Sequence, residues 1–240
     1  MPLAPHEFWQ DIYPEGTFEA APAEGFRDLY PARLPDDRQI ALPVRILPGG
    51  DRAVASLIVN QASFAVEDAL AEAMAELARP FAPEIVIGVP TLGLALANGV
   101  ARRLGHGRMV ALGTSRKFWY RDELSEPMSS ITSPGHARRI FFDPRMLPLV
   151  EAKRVLVVDD VISSGASMAA VLQLLAGVGV TPVAAVFAMI QGERWKDRLE
   201  GLDPTLSGRI LGALKSPVFK PAGDGFWTPE DIASAPSRNG

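Results

Sequence analysis

The chain contains no cysteine, which excludes disulfides, thiolate nucleophiles and thiolate metal sites together. Its three histidines, His6, His106 and His136, lie far apart, and no zinc-ligand spacing links them. Neither Gly-x-x-x-x-Gly-Lys-Ser/Thr nor Gly-x-Gly-x-x-Gly occurs, so two common nucleotide-binding loops are absent. Basic charge is in deficit: 24 Lys and Arg stand against 28 Asp and Glu, a net charge of −4 with a pI near 5.5. No global field draws the chain to nucleic acid or to an anionic membrane, and neither is expected as a partner. The start, Met-Pro-Leu-Ala-Pro-His-Glu-Phe-Trp, lacks the basic residues and apolar stretch of a signal peptide. A cytoplasmic location is therefore expected. The stretch Val161–Gly192 carries no charge, but Ser163, Ser164, Ser167, Gln173, Thr181 and Pro182 interrupt it. A membrane span needs about 20 continuous apolar residues, so a buried helix followed by a buried strand is the better reading.

What the sequence does have is apolar material. Hydrophobic residues make up 48% of its 240 positions and charged residues 22%, enough for one sizeable core with an added subdomain. Residues 5–13 read as a short amphipathic helix docking Phe8 and Trp9. Ile40–Leu47 and Ala53–Val59 read as a hairpin turning at Gly49-Gly50. Ala69, Leu70, Ala73, Met74, Leu77 and Ala78 recur at helical spacing within 64–81, and Pro80 ends that helix. Strands are then expected at Glu84–Val89, Arg108–Gly113, Arg139–Phe142, Arg154–Asp159 and Pro182–Ile190. Helices are expected at Gly93–Leu104 and Gly165–Leu175, and a long loop over 114–137. Apolar strands alternating with helices define an α/β fold: a twisted, mainly parallel sheet with helices on both faces, plus a small β-containing hood. Such sheets bind ligands beyond the carboxyl ends of their strands. The division expected is an N-terminal extension over 1–62 (a hood or dimer arm), a core over 63–204, and a hood segment with a frayed tail over 205–240.

One segment carries chemistry: Val155-Leu156-Val157-Val158-Asp159-Asp160-Val161-Ile162-Ser163-Ser164-Gly165-Ala166-Ser167. A buried strand delivers two carboxylates to its end, small residues follow, and a helix begins. The first helical turn has backbone N–H groups without intrahelical partners, and with the helix dipole they make an anion site. Small side chains let the backbone approach a phosphate, and the hydroxyls of Ser163, Ser164 and Ser167 add donors. The carboxylates repel that phosphate and must face another polar group, for which vicinal sugar hydroxyls are suited. A plain helix-capping turn is the bland alternative.

This segment resembles the 5-phosphoribosyl-1-pyrophosphate (PRPP) signature of the type I phosphoribosyltransferases, with a flavour closest to the adenine and xanthine members. Ser164 and Ser167 stand where the family often has threonine, and Ala166 where many members have glycine. The resemblance extends over roughly residues 60–200 in element order. It implies transfer of the phosphoribosyl group from PRPP to a nitrogenous base with release of pyrophosphate. Ser163, Ser164, Gly165, Ala166 and Ser167 would hold the 5-phosphate, and Asp159 and Asp160 the ribose, with Mg²⁺ carried in on PRPP nearby. The loop Pro90, Thr91, Leu92, Gly93 would bind pyrophosphate through its backbone, and Arg116 and Lys117 would reach it. Between Ala101 and Arg154 eleven Lys/Arg face five Asp/Glu, a local basic excess suited to that polyanion. Residues 118–137 would form a catalytic lid offering Tyr120, Arg121, Asp122 and Glu123. Lys117 and Glu123 join the acid pair as candidate catalytic residues. Phe219, Phe226 and Trp227 are candidates for stacking on the base. Serine at 163, where 6-oxopurine members often place aspartate, points away from hypoxanthine and guanine. Ile140-Phe141-Phe142-Asp143, Lys153-Arg154-Val155 and Ser129–Ser133 resemble the corresponding stretches of adenine and xanthine members. A homodimer is implied. The competing readings are a non-catalytic PRPP-sensing regulator and PRPP synthesis. The first lacks a basic recognition helix here, and the second a repeated domain.

Overall fold

The structure is a computed structural model that describes residues 3–128 and 138–230. Near the N-terminus run the strands β1 (Ile12–Tyr13), β2 (Leu29–Arg33), β3 (Gln39–Ile46) and β4 (Ala53–Ala55). Helix α1 (Phe64–Ala78) leads to β5 (Ile85–Gly88), α2 (Gly93–Arg103) and β6 (Val110–Ala111). An antiparallel pair follows, β7 (Ser125–Met128) with β8 (Arg138–Phe141). Then come β9 (Val155–Ile162), α3 (Ala166–Gly177), β10 (Ala184–Gln191) and α4 (Trp195–Glu200). The chain ends with β11 (Ile210–Ser216), β12 (Val218–Gly223) and β13 (Phe226–Pro229).

Five strands in the order β11-β10-β9-β5-β6 form a wholly parallel sheet. Its strands are apolar because both faces are covered. Alternate residues point to opposite faces. Leu156, Val158, Val86 and Val186 join a core with α1 and α2, while Val155, Val157, Ile87 and Phe187 join a second core with α3. Helix α1 buries Val66, Leu70, Met74 and Ala78, spaced by one helical turn. Its cap, Ser63, accepts from the Val66 N–H and donates through its hydroxyl to the Gln10 carbonyl. Arg103 on α2 ties the two helices by pairing with Asp68 and Glu72.

A second sheet, antiparallel, runs β1-β3-β4-β12-β13 with β2 also on β3. It joins the two ends of the chain, pairing Val54 with Val218 and Ala53 with Phe219. Only Pro217 separates β11 from β12, so this hood grows directly from the carboxyl end of the parallel sheet. Gln191, at the end of β10, fastens it by donating to the Ala55 carbonyl at 2.8 Å.

Four expectations change. Residues 5–9 form turns, not a helix, and Trp9 takes φ +61°; Phe8 and Trp9 are nonetheless buried, and the Trp9 indole donates to the Ser56 carbonyl. The span 114–128 is not all loop, because a 3-10 turn at Asp122–Leu124 leads into β7. Strand β9 continues through the acid pair to Ile162, stabilised by β10, where Met189 pairs with Val161 and Ile190 with Ile162. Of the segment over 205–240 expected as hood, β11 instead completes the parallel sheet, while β12 and β13 join the hood. Ser129–Ser133 and residues 231–240 of the expected frayed tail lie outside the described residues.

Candidate active site

Three loops leave the carboxyl ends of adjacent strands: 89–92 after β5, 112–121 after β6 and 163–165 after β9. The open-sheet rule places a ligand there. The first and third of these loops meet the acid pair. Gly93 opens α2 directly against β9. A Cβ at this position would lie 2.8 Å from the Asp159 Cα and 2.7 Å from its Oδ1, so only glycine permits the approach. The Pro90–Thr91 peptide is cis. Thr91 is exposed, Leu92 is half-buried, and no side chain caps α2, which leaves its first-turn N–H groups available to an anion.

The two acids do not share one environment. Asp159 is buried at 7% exposure, while Asp160 is half-buried. The Asp160 N–H donates to Asp159 Oδ1 at 2.8 Å. Burial and the neighbouring Asp160 charge push the Asp159 carboxyl well above the usual range, and burial raises Asp160. Two carboxylates held this close together in a dry corner favour a ligand that donates hydrogen bonds or brings positive charge. A sugar diol and a developing oxocarbenium centre fit that description, whereas a bare phosphate does not.

The phosphate turn sits just beyond. Gly165 is buried with φ +75°, and a Cβ there would meet the Trp195 Cα and Cβ at 3.2 Å. No side chain caps α3 at Gly165. Ser163, Ser164, Ala166 and Ser167 are half-buried around the turn, and the Ala166 N–H points to Ser164 Oγ at 3.4 Å. Two residues that sequence reasoning missed support the turn from behind. Trp195 packs on Gly165, and the Arg198 Nε donates to the Ser164 carbonyl at 3.2 Å. No local pattern marks Trp195 or Arg198, which follow the charged pair Glu193-Arg194.

Arg116 and Lys117 are exposed on the loop after β6, at the same sheet edge, and Arg116 is paired with Asp122 at 2.9 Å. Arg121 and Glu123 are also exposed. The stacking candidates separate. Phe219 has no exposure, and its ring is enclosed edge-on by Phe26 and Tyr30 at 5.6 and 5.5 Å. Trp227 is buried and its backbone pairs with Phe26. Both rings therefore serve as core of the hood and present no free face to a base. Phe226 is half-buried with the Arg27 guanidinium 5.6 Å above it.

No group of three or more His, Asp or Glu among the described residues is disposed to hold a metal. That donor set fits a Mg²⁺ that arrives on a pyrophosphate and keeps substrate oxygens and water as most of its ligands. Asp160 and Asp159 are the carboxylates beside which it would lie. Among the described residues, no helix is long and apolar enough to cross a membrane.

A parallel α/β sheet whose edge combines two uncapped helix starts with an acid pair defines a nucleotide- or sugar-phosphate-handling protein. Comparison with known proteins narrows this. Residues 59–204 match the phosphoribosyl transferase domain. A curated adenine phosphoribosyltransferase of Rhodospirillum centenum is 26% identical over 127 residues, covering 50% of this chain and 67% of the relative. The adenine phosphoribosyltransferase structure of Giardia lamblia, complexed with 9-deazaadenine, superposes with a TM-score of 0.57 at 19% identity, covering 72% of this chain and 93% of that one. The Trypanosoma brucei enzyme, in complex with AMP, pyrophosphate and ribose-5-phosphate, gives 0.52 at 16% identity over 77% and 75% of the two chains. The chain belongs to the phosphoribosyltransferase family, the PRPP-dependent glycosyltransferases.

Proposed function

We propose that this chain transfers the 5-phosphoribosyl group from PRPP to a purine of the adenine or xanthine kind, releasing pyrophosphate. The observation that carries the reading is the junction at Gly93. It brings the uncapped start of α2 onto the acid pair, one turn of chain before the uncapped start of α3. Two anion sites flanking a carboxylate pair match the two ends and the middle of PRPP.

In this reading the turn 163–167 grips the 5-phosphate and fixes the sugar's orientation, a gain in proximity rather than in chemistry. Asp160 accepts from the ribose hydroxyls. Asp159, which accepts from the Asp160 N–H, adds negative potential where the anomeric carbon gains positive charge as its bond to pyrophosphate oxygen breaks and a bond to the base nitrogen forms, that nitrogen's proton leaving to water. The Pro90–Gly93 backbone, Arg116 and Lys117 receive the departing pyrophosphate. Mg²⁺, when bound, neutralises part of that leaving group's charge. Glu123, on the 3-10 turn before β7, and Tyr120 stand at the fixed base of the expected lid, which would exclude water when closed. Adenine-named relatives support the choice of purine, and the serine at 163 points away from hypoxanthine and guanine within that class. A homodimer is proposed on family resemblance.

The test is a panel of free bases with Mg²⁺ and PRPP: adenine, xanthine, guanine, hypoxanthine, uracil and orotate. Pyrophosphate release with adenine or xanthine is expected. Turnover confined to uracil or orotate overturns the purine assignment. PRPP binding without turnover of any base replaces it with the sensor reading.

A further inference from the structure

Asp143 is a buried carboxylate that the reaction has not used. It is 8% exposed, follows β8, and caps the 3-10 turn Pro144–Leu149 that leads toward β9. It accepts from the Arg145 N–H and Nε, both at 3.0 Å, and from the Trp119 indole at 3.3 Å. The Arg145 guanidinium lies 4.3 Å from the Trp119 ring centroid, completing a closed triangle of acid, base and aromatic ring. Arg145 and Trp119 hold the Asp143 carboxyl down at about 2, so it is ionised throughout the neutral range.

The triangle joins two parts of the chain. Asp143 and Arg145 belong to the body of the domain. Trp119 belongs to the loop after β6, which carries Arg116 and Lys117. The start of that loop is pinned by Gly113, which exchanges two backbone hydrogen bonds with Phe141 at 2.9 and 2.8 Å, and the stretch that carries Arg116 and Lys117 lies between this anchor and Trp119. Tyr120 leans on Phe141 with centroids 5.7 Å apart. The Arg116–Asp122 pair lies within the loop and its immediate continuation, with both side chains more than half exposed, so it contributes little to holding the loop on the body. Lys117 stands two residues from Trp119, and two residues of chain span at most about 7 Å. Fixing Trp119 therefore confines both basic side chains to one side of the sheet edge.

We propose that Asp143, with Arg145 and Trp119, is a positioning clasp that presents Arg116 and Lys117 to the pyrophosphate half of the substrate. The inference rests on the PRPP reading above. It adds three residues that touch no reacting atom and makes a separable claim about the two ends of the ligand. A clasp that merely stabilised the fold would affect both ends alike.

The experiment titrates inorganic pyrophosphate with Mg²⁺, and separately ribose 5-phosphate, into the full chain and into Asp143→Asn, Trp119→Ala, Trp119→Phe and Arg145→Lys. Releasing the loop adds an ordering penalty for each mobile side chain that must be immobilised on binding. Asp143→Asn and Trp119→Ala are expected to weaken pyrophosphate roughly 5- to 30-fold. Ribose 5-phosphate should stay within about twofold of wild type, since its turn at 163–167 shares no hydrogen-bond partner with the clasp among the described residues and is held by Trp195 and Arg198. Trp119→Phe keeps a ring for Arg145 but loses the indole donor, so it should fall between. Trp119→Ala covers the case in which Asp143→Asn fails to fold. Unchanged pyrophosphate affinity in folded Trp119→Ala, or equal loss of both ligands, overturns the clasp. If wild type binds neither ligand, the PRPP reading falls, and the clasp with it.

Discussion

The parallel sheet and the hood meet at one edge but are assembled differently. In the sheet, β5 pairs with β6, β9 with β10 and β10 with β11, each with its next parallel neighbour; β5–β9 is the one distant pairing. In the hood, β4 from the first quarter of the chain pairs with β12 from the last, and Phe26 bridges to Trp227. The groups proposed to handle PRPP lie on short loops at the sheet edge, each set by the strand before it. On the reading proposed above, any contribution of the hood to base choice would depend on a surface that exists only once the two chain ends have met, whereas Ser163 bears on that choice from the sheet edge. The sheet edge and the hood thus rest on separate structural supports, and each can be disturbed without the other.

The largest expected effect lies at the sheet edge. Gly93→Ala places a methyl against the Asp159 backbone, where nothing can yield without moving β9. Turnover should fall by roughly 100-fold or more, as a displacement of about 1 Å at a reacting centre does, with a loss of about 1–3 kcal/mol in stability, as overpacking causes, that leaves the protein folded. Steady-state kinetics beside a melting curve checks this. A variant that keeps full activity would break the claim that the two loops act as one site.

Phe219→Ala is the complementary disturbance. Removing a fully buried ring from the Phe26–Tyr30–Phe219 cluster should cost about 3–5 kcal/mol, as large-to-small core changes do. Denaturant unfolding measures it. In the folded fraction, the KM for the base should rise more than the KM for PRPP. Equal rises would join the two supports that the comparison separates.

Asp159→Asn sharpens the contrast within the site. Burial and Asp160 raise the Asp159 pKa in the folded state, so its ionised form is penalised there relative to the unfolded chain. An amide removes that penalty and keeps an acceptor for the Asp160 N–H. The variant should therefore melt higher than wild type at pH 7 while losing activity. The gain should shrink as pH falls and vanish below about 4, where the acid is protonated in both states. A lower melting temperature at pH 7 would contradict the strained-acid account.

Arg116→Ala should have the smallest effect, a several-fold rise in the KM for PRPP that weakens with added salt, because this cation is exposed and screened.

How much of this could be read in the sequence follows the same division. The local structure of Val155–Ser167 was legible because strand, acid pair, glycine turn and helix start are contiguous in the sequence. The loop Pro90–Gly93 was legible for the same reason. The continuation of β9 through Asp159 and Asp160 was not, since two adjacent carboxylates resemble the end of a strand; pairing with β10 overrides that local preference. Strand β11 was hidden by Gly212 and Lys215, which break its apolar run. Gly212 is there because a Cβ would come within 2.6 Å of Ile190 on the neighbouring strand. The hairpin at 39–55 was legible from its Gly-Gly turn, but its partner was not. The burial of Phe219 and Trp227 and the Trp119–Asp143–Arg145 triangle depend on contacts across tens to hundreds of residues, which no local pattern encodes.

The most direct measurement is a calorimetric titration of PRPP with Mg²⁺ into the wild-type chain and into the double variant Asp159→Asn, Asp160→Asn. The account predicts saturable heat at one PRPP per chain for wild type and none for the double variant, which stays folded. Matching heats from the two proteins would contradict it.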